Sequence, residues 1–106
     1  MDKFVAISDP TRRKIIEMLC REELSSGDIA RQFDSSPPAI SQHLKILRNT
    51  EIVDVRIDAQ KRIYTLSKNG LKDVDLWVQK VNDFWIERLN RLEQELRGIN
   101  KQEKVK

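Results

Sequence analysis

Between Asp34 and Glu51 the sequence holds no acidic residue, while Lys45, Arg48 and the chain's one histidine, His43, all fall there beside Ser36, Ser41, Gln42 and Asn49. These are the side-chain types that hydrogen-bond DNA. Gln pairs bidentately with adenine, Lys and Arg reach guanine or phosphate, and a small apolar group touches the thymine methyl. A carboxylate-free segment also meets a polyanion without repulsion. At about 100° per residue, Ile40, Leu44 and Leu47 share one arc of a helix, and Pro38, Gln42, Lys45 and Asn49 share the opposite one. Ala39, Ser41 and Ile46 flank that outward arc. The N-terminal half of a groove-bound helix reaches base edges, so Ala39, Ser41 and Gln42 are the candidates for base contact, with Pro38 beside them. Lys45 suits phosphate or guanine. His43 lies nearer the core-facing arc and, with no companion ligands, reads as a packed or phosphate-bonding imidazole rather than a metal ligand.

The elements that must hold this helix are legible on either side of it. Asp9-Pro10-Thr11 is a helix start, with Asp9 as cap and Pro10 where a missing N–H costs nothing; Ile15, Ile16 and Leu19 form its inward stripe to about Cys20. Before it, Phe4, Val5 and Ile7 suggest a short helix packing on the same core or on a partner. A further helix opens at Ser25 or Ser26, with Asp28 in its first turn and Ile29, Ala30 and Phe33 inward. Asp34-Ser35-Ser36 makes a tight turn, and Ser36 caps the helix beginning Pro37-Pro38. Ser26 and Ser36, at helix N-termini, can each hold a phosphate as well as cap.

From Ile52 the pattern alternates through Val53, Val55 and Ile57, turns at Asp58-Ala59-Gln60-Lys61, and resumes at Ile63, Tyr64 and Leu66. This predicts a β-hairpin, and a hairpin directly after a helix-turn-helix is a wing. Arg56, Lys61 and Arg62 flank its turn within reach of DNA, with Lys61 and Arg62 the stronger candidates because Asp54 and Asp58 sit among them. A last helix is expected from about Leu71 to Arg97. Leu71, Val74, Val78, Val81, Trp85, Leu89, Leu92 and Leu96 recur every three or four residues, and Trp77 and Phe84 widen the face. Such a helix, roughly 40 Å long, outruns the core of a domain this size. A second copy of the chain is the simplest cover. That makes Phe4, Val5, Leu71, Val74, Trp77, Val78, Val81, Phe84, Trp85, Leu89 and Leu92 the candidate dimer interface.

The 106 residues allow one domain, read as residues 1–98 with a polar tail at 99–106. With 35% charged and 39% hydrophobic residues the composition is that of a soluble, helix-rich protein, and the order of elements makes the class mainly α with a small β-hairpin, a winged helix-turn-helix. Against 17 Asp and Glu, 20 Lys and Arg leave a net charge of only +3, so local charge says more than the total. No stretch reads as a signal peptide or membrane span, which points to the cytoplasm. The one cysteine, Cys20, cannot pair within the chain, and at the end of an apolar helix it is expected to be buried. With one His, one Cys and no Gly-rich phosphate loop, no catalytic constellation can be assembled, and no cofactor is expected.

The runs AISDPTRRKIIEML, LSSGDIARQF, SSPPAISQHLKILR and IVDVRIDAQKRIYTL, with the long terminal helix, together resemble the ArsR-type (ArsR/SmtB) winged-helix repressors of bacteria over nearly the whole chain. The resemblance implies a homodimer, joined through its first and last helices, that binds an inverted-repeat operator in double-stranded DNA and represses transcription, often of its own operon. Metal-sensing members carry a cysteine pair where this chain has Ser25, Ser26, Gly27 and Asp28, or Asp, His and Glu ligands on a terminal helix that here contains no histidine. Asp73, Asp75, Asp83 and Glu87 read as solvated surface, so no metal is expected. Pro37 stands where relatives often carry a polar side chain. The nearer resemblance is to autorepressors relieved by a partner, a membrane or other protein, or by another ligand. Two further readings are a ligand- or metal-responsive sensor with an unfamiliar site and a winged helix turned protein-interaction module.

Overall fold

The computed structural model describes the backbone of residues 1–105 and the side chains of residues 1–99. Eight elements follow in order: α1 (Lys3–Ala6), α2 (Pro10–Leu19), β1 (Leu24–Ser25), α3 (Ser26–Ala30), α4 (Pro37–Asn49), β2 (Val53–Asp58), β3 (Lys61–Leu66) and α5 (Lys72–Val105). The chain divides into two compact units, Met1–Lys72 and the stretch from Asp73 onward.

In the first unit, each helix starts where a polar side chain takes up a free first-turn N–H. Asp2 accepts from the Val5 N–H at 2.9 Å and Asp9 from the Arg12 N–H at 3.0 Å. Ser25 accepts from the Asp28 N–H at 3.1 Å, and Ser36 from the Ala39 N–H at 3.3 Å. Ser25 is thus the cap of α3, and Ser26 its first helical residue. The inward stripes meet in one core, in which Ile15, Ile29, Ile40, Leu44, Leu47, Ile52 and Val53 are fully buried beside Ala6 and Tyr64.

The wing is larger than the hairpin the sequence predicts. The sheet has three antiparallel strands in the order β1-β3-β2, with Leu24 and Ser25 paired to Tyr64 and Ile63. A strand of two residues is too short to show an alternating pattern, so sequence periodicity is blind to it. The turn is also tighter than the expected four-residue loop. Asp58 and Lys61 are themselves paired, leaving only Ala59 and Gln60 between the strands, and Ala59 takes a left-handed φ of 56°.

Cys20 is exposed, contrary to expectation. It caps α2, and one further residue turns the helix by about 100°, past the edge of the stripe formed by Ile15, Ile16 and Leu19.

The end of α4 is closed by a Schellman arrangement. The Glu51 N–H reaches the Arg48 carbonyl at 3.0 Å and the Ile52 N–H the Leu47 carbonyl at 3.0 Å, while Ile52 and Leu47 are both buried. Glu51 carries the left-handed φ of 62° that this cap requires. The Ile52 carbonyl in turn accepts from the Ser67 N–H at 3.0 Å, and a Cβ on Gly70 would stand 2.6 Å from that same oxygen.

The second unit is a single helix. α5 runs past the expected end at Arg97 to Val105, so the span read as a polar tail is helical backbone as far as it is described; Lys106 lies outside the described residues. At 1.5 Å per residue its length is about 50 Å. In the single chain Trp77, Val78, Val81, Phe84, Trp85, Leu89 and Leu92 are all exposed, and Val74 is half-buried. Among the described residues no helix is long and apolar enough to cross a membrane.

Two substitutions at the α4 exit have opposite expected signs. Glu51→Gly should raise stability by about 0.5–1 kcal/mol, since glycine takes a positive φ without a Cβ penalty. Gly70→Ala should lower it by about 1–3 kcal/mol, because the methyl group meets backbone that cannot easily retreat. Urea denaturation midpoints of the two variants against the parent check both.

Candidate nucleic-acid interface

The outward arc of α4 and the core-facing side of the wing form the two walls of an open groove of about 640 Å³. Ser26, Pro38, Ser41, Gln42, Lys45, Arg48, Asn49 and Arg62 line it, with Leu44 and Tyr64 at its base. Three cations and several amide and hydroxyl groups therefore share one concavity, and among the described residues no carboxylate lines it. Arg48 and Asn49 were not among the candidates from sequence; Asn49 lies on the same arc as Gln42 and Lys45, the signal that could have found it.

Strand parity separates the wing candidates. Paired residues of β2 and β3 share a face, so Arg62 and Ile57 lie on the side of Tyr64 and Val55, which packs on the core, while Arg56 and Lys61 lie on the other side with Ile63 and Asp58. Arg62 thus joins Gln42 and Lys45 in the groove. Arg56 is engaged elsewhere: it forms an ion pair with Glu23 and stands 4.0 Å from Asp58. Ser36 and Ala39, at the start of α4, lie outside the groove lining, Ser36 exposed and Ala39 half-buried. At the opening of α3, Asp28 pairs with Arg31, and its carboxyl is held below the ordinary range chiefly by the Ser25 hydroxyl, helped by the Arg31 charge.

His43 occupies the half-buried flank of α4, away from the groove lining. Its Nδ1 lies 3.1 Å from Nη1 of Arg12 and 3.7 Å from a carboxylate oxygen of Asp9. A guanidinium only donates, so Nδ1 is the acceptor of this bond and the ring carries its hydrogen on Nε2. Arg12 is a buried cation that the sequence reading overlooked. The signal was present, because Arg12 falls on the middle of the arc defined by Ile15, Ile16 and Leu19. The Arg12 backbone N–H holds the Asp9 carboxyl below its ordinary value, against partial burial and with help from the Arg12 guanidinium charge. Among the described residues no group of three or more His, Cys, Asp or Glu is placed to hold a metal ion.

A short helix, a turn and a longer capped helix, backed by a three-stranded wing and facing an acid-free cationic groove, define a winged helix-turn-helix DNA-binding protein. Residues 9–55 match the family model described as bacterial regulatory protein, arsR family. The chain is 43% identical over 75 residues to the transcriptional repressor SdpR of Bacillus subtilis (strain 168), covering 71% of this chain and 83% of that one. It is 32% identical over 76 residues to the arsenical resistance operon repressor of Staphylococcus xylosus, covering 72% of this chain and 73% of that one. A solved structure described as a possible transcriptional regulator for arsenical resistance superposes with a TM-score of 0.71 at 33% identity, over 90% of this chain and 96% of the other. The chain belongs to the ArsR family of winged-helix transcriptional repressors, which bind DNA, typically as dimers, and are not enzymes.

Replacing the α2 cap tests the Asp9 environment. Asp9→Ala should cost about 1 kcal/mol at neutral pH. Because the folded-state value of Asp9 lies below the ordinary 3.8, the carboxylate's contribution is complete above 3.8 and is lost as pH falls through the lowered value. Thermal melts of variant and parent should therefore converge in acid and stay apart at pH 7.

Proposed function

We propose that this chain represses transcription as a homodimer seated on an inverted-repeat operator, with α4 of each copy in successive major grooves about one helical turn apart. The observation that carries this reading is the groove between α4 and the wing, lined by Lys45, Arg48 and Arg62 and by no carboxylate. Gln42, Ser41 and Ala39 read base edges, with Pro38 packed beside them. Ser26, Ser36 and Lys45 take phosphates, and Arg62 follows the backbone or minor groove from the wing. Parity puts Lys61 and Arg56 on the far face of the wing, which leaves them a long-range electrostatic part, and His43, on the flank of α4, supports the reading helix through Arg12 rather than by touching DNA.

The dimer reading rests on α5 and α1. Phe4 and Val5 are about half exposed in the single chain, as are most apolar side chains of α5, and one further copy of the same stripe is complementary to it by symmetry. The protein works in the cytoplasm, where its operator lies, and the regulated genes include its own. Residues 25–28 offer no thiol and α5 no histidine, which supports relief of repression by a partner protein rather than at the metal sites familiar in the family.

A gel-shift titration with a duplex from the gene's own upstream region tests the assignment. The parent should prefer it strongly over a scrambled duplex, with affinity falling steeply as salt rises. Gln42→Ala should erase most of the preference, costing about 1–3 kcal/mol, while the dimer stays intact on a sizing column. Arg62→Ala should weaken binding to both duplexes and shallow the salt slope by about one phosphate contact. Lys61→Ala should do neither to the same degree. Equal affinity of the parent for both duplexes would overturn the reading.

A further inference from the structure

Every nitrogen of the buried Arg12 side chain is used, and its partners lie on two other helices. Nε donates to the Ala6 carbonyl at 2.6 Å, Nη2 to the Val5 carbonyl at 3.3 Å, and Nη1 to His43 Nδ1 at 3.1 Å. The first two oxygens close α1, a single turn too short to persist by its own hydrogen bonds. Arg13, next in sequence, takes the following two carbonyls, Ile7 at 3.0 Å and Ser8 at 3.1 Å. The third partner stands in the middle of α4, one residue beyond Gln42. A single guanidinium therefore ties the carbonyl end of α1 to the helix that lines the groove.

We propose that Arg12 is a positioning residue for DNA reading: by holding His43 to the carbonyls of Val5 and Ala6, it fixes the rotation of α4 about its axis and makes α1 and the DNA face move as one. The inference rests on the DNA-reading role of α4. Ile40, Leu44 and Leu47 bury α4 against the core, yet apolar contact is non-directional and sets the roll of a helix less sharply than a directional bond does. A charge-assisted hydrogen bond from a planar fork is directional. Bidentate pairing of Gln42 with a base demands that direction, since hydrogen bonds weaken steeply with distance and angle. The same fork passes information the other way. Phe4 and Val5 are exposed on α1, so whatever seats on that turn loads the Val5 carbonyl and, through Arg12, His43.

The test compares Arg12→Lys, His43→Asn and His43→Leu, using the upstream duplex and a scrambled duplex as probes and melting temperature and sizing as controls. Lysine keeps the charge, but its donors radiate from one nitrogen and cannot span acceptors that the guanidinium meets with three. Asparagine places an oxygen near the position of Nδ1 and removes Nε2, whereas leucine removes both. Arg12→Lys and His43→Leu should each weaken binding to the upstream duplex about tenfold, within the usual span of coupling effects. The double variant should be no weaker than either single one, as expected for two members of one interaction. His43→Asn should retain near-parental affinity. In the parent, the duplex should slow amide exchange at Ala6 and Ile7, and in Arg12→Lys it should not.

If Arg12→Lys binds like the parent, or only its melting temperature falls while the folded protein keeps its affinity, the proposal is overturned. If His43→Asn is as weak as His43→Leu, His43 acts by direct contact through Nε2, and the proposal is again overturned. Should Arg12→Lys fail to fold, the two His43 variants still decide. A parent that shows no preference for the upstream duplex defeats the DNA reading itself and the proposal with it, whereas a parent that does so and loses it on Gln42→Ala isolates any failure to Arg12.

Discussion

Ile52 sits where the reading helix ends and the wing begins, and its backbone and side chain are all committed. Its N–H closes α4 on the Leu47 carbonyl, its carbonyl receives the Ser67 N–H from the far end of the hairpin, and its side chain is fully buried. Gly70 packs against the same carbonyl at a distance no side chain would allow. The consequence is geometric: α4 and the wing, the two walls of the groove, are joined through one buried residue rather than by an exposed linker. Gln42 and Arg62, distant in sequence, line one concavity on either side of this junction. The cost is a left-handed backbone at Glu51, a conformation that glycine would adopt more readily.

Around that junction the fold divides its labour between non-directional and directional forces. Burial of Ile15, Ile29, Ile40, Leu44 and Leu47 holds the helices together and supplies most of the driving force. The caps at Asp2, Asp9, Ser25 and Ser36 decide where each helix begins. Arg12 then adds a directional tie across three helices, in a place where an uncompensated cation would be costly. No buried side-chain nitrogen or oxygen among the described residues lacks a partner, and each nitrogen of this cation has its acceptor.

Much of this was legible in the sequence because local rules and tertiary packing agree. Asp9-Pro10 and Ser36-Pro37-Pro38 start helices by backbone chemistry alone, and the structure starts them there. The arc of Pro38, Gln42, Lys45 and Asn49 follows from helical geometry and turns up as a groove wall. What escaped were features that depend on partners far along the chain. Strand β1 exists because Leu24 and Ser25 find Tyr64 and Ile63, and two residues carry no periodicity of their own. Lys61 and Arg62 looked equivalent as neighbouring cations, yet strand parity sends them to opposite faces. Arg12 was hidden by its residue type, since a cation on an apolar arc is discounted until its acceptors are known. Cys20 misled for the converse reason, as an apolar residue one step beyond the edge of the stripe.

The long apolar stripe of α5 carries a consequence for how such a regulator would respond in a cell. A helix of about 50 Å that leaves Trp77, Val81, Trp85, Leu89 and Leu92 exposed in the single chain makes the cost of solitude high. Where a second copy covers the stripe, the population able to occupy a twofold operator grows with the square of chain concentration at low levels and flattens once pairing is complete. In such an assembly the apolar area on α5 would couple operator occupancy to chain concentration, steeply only at levels where pairing is incomplete.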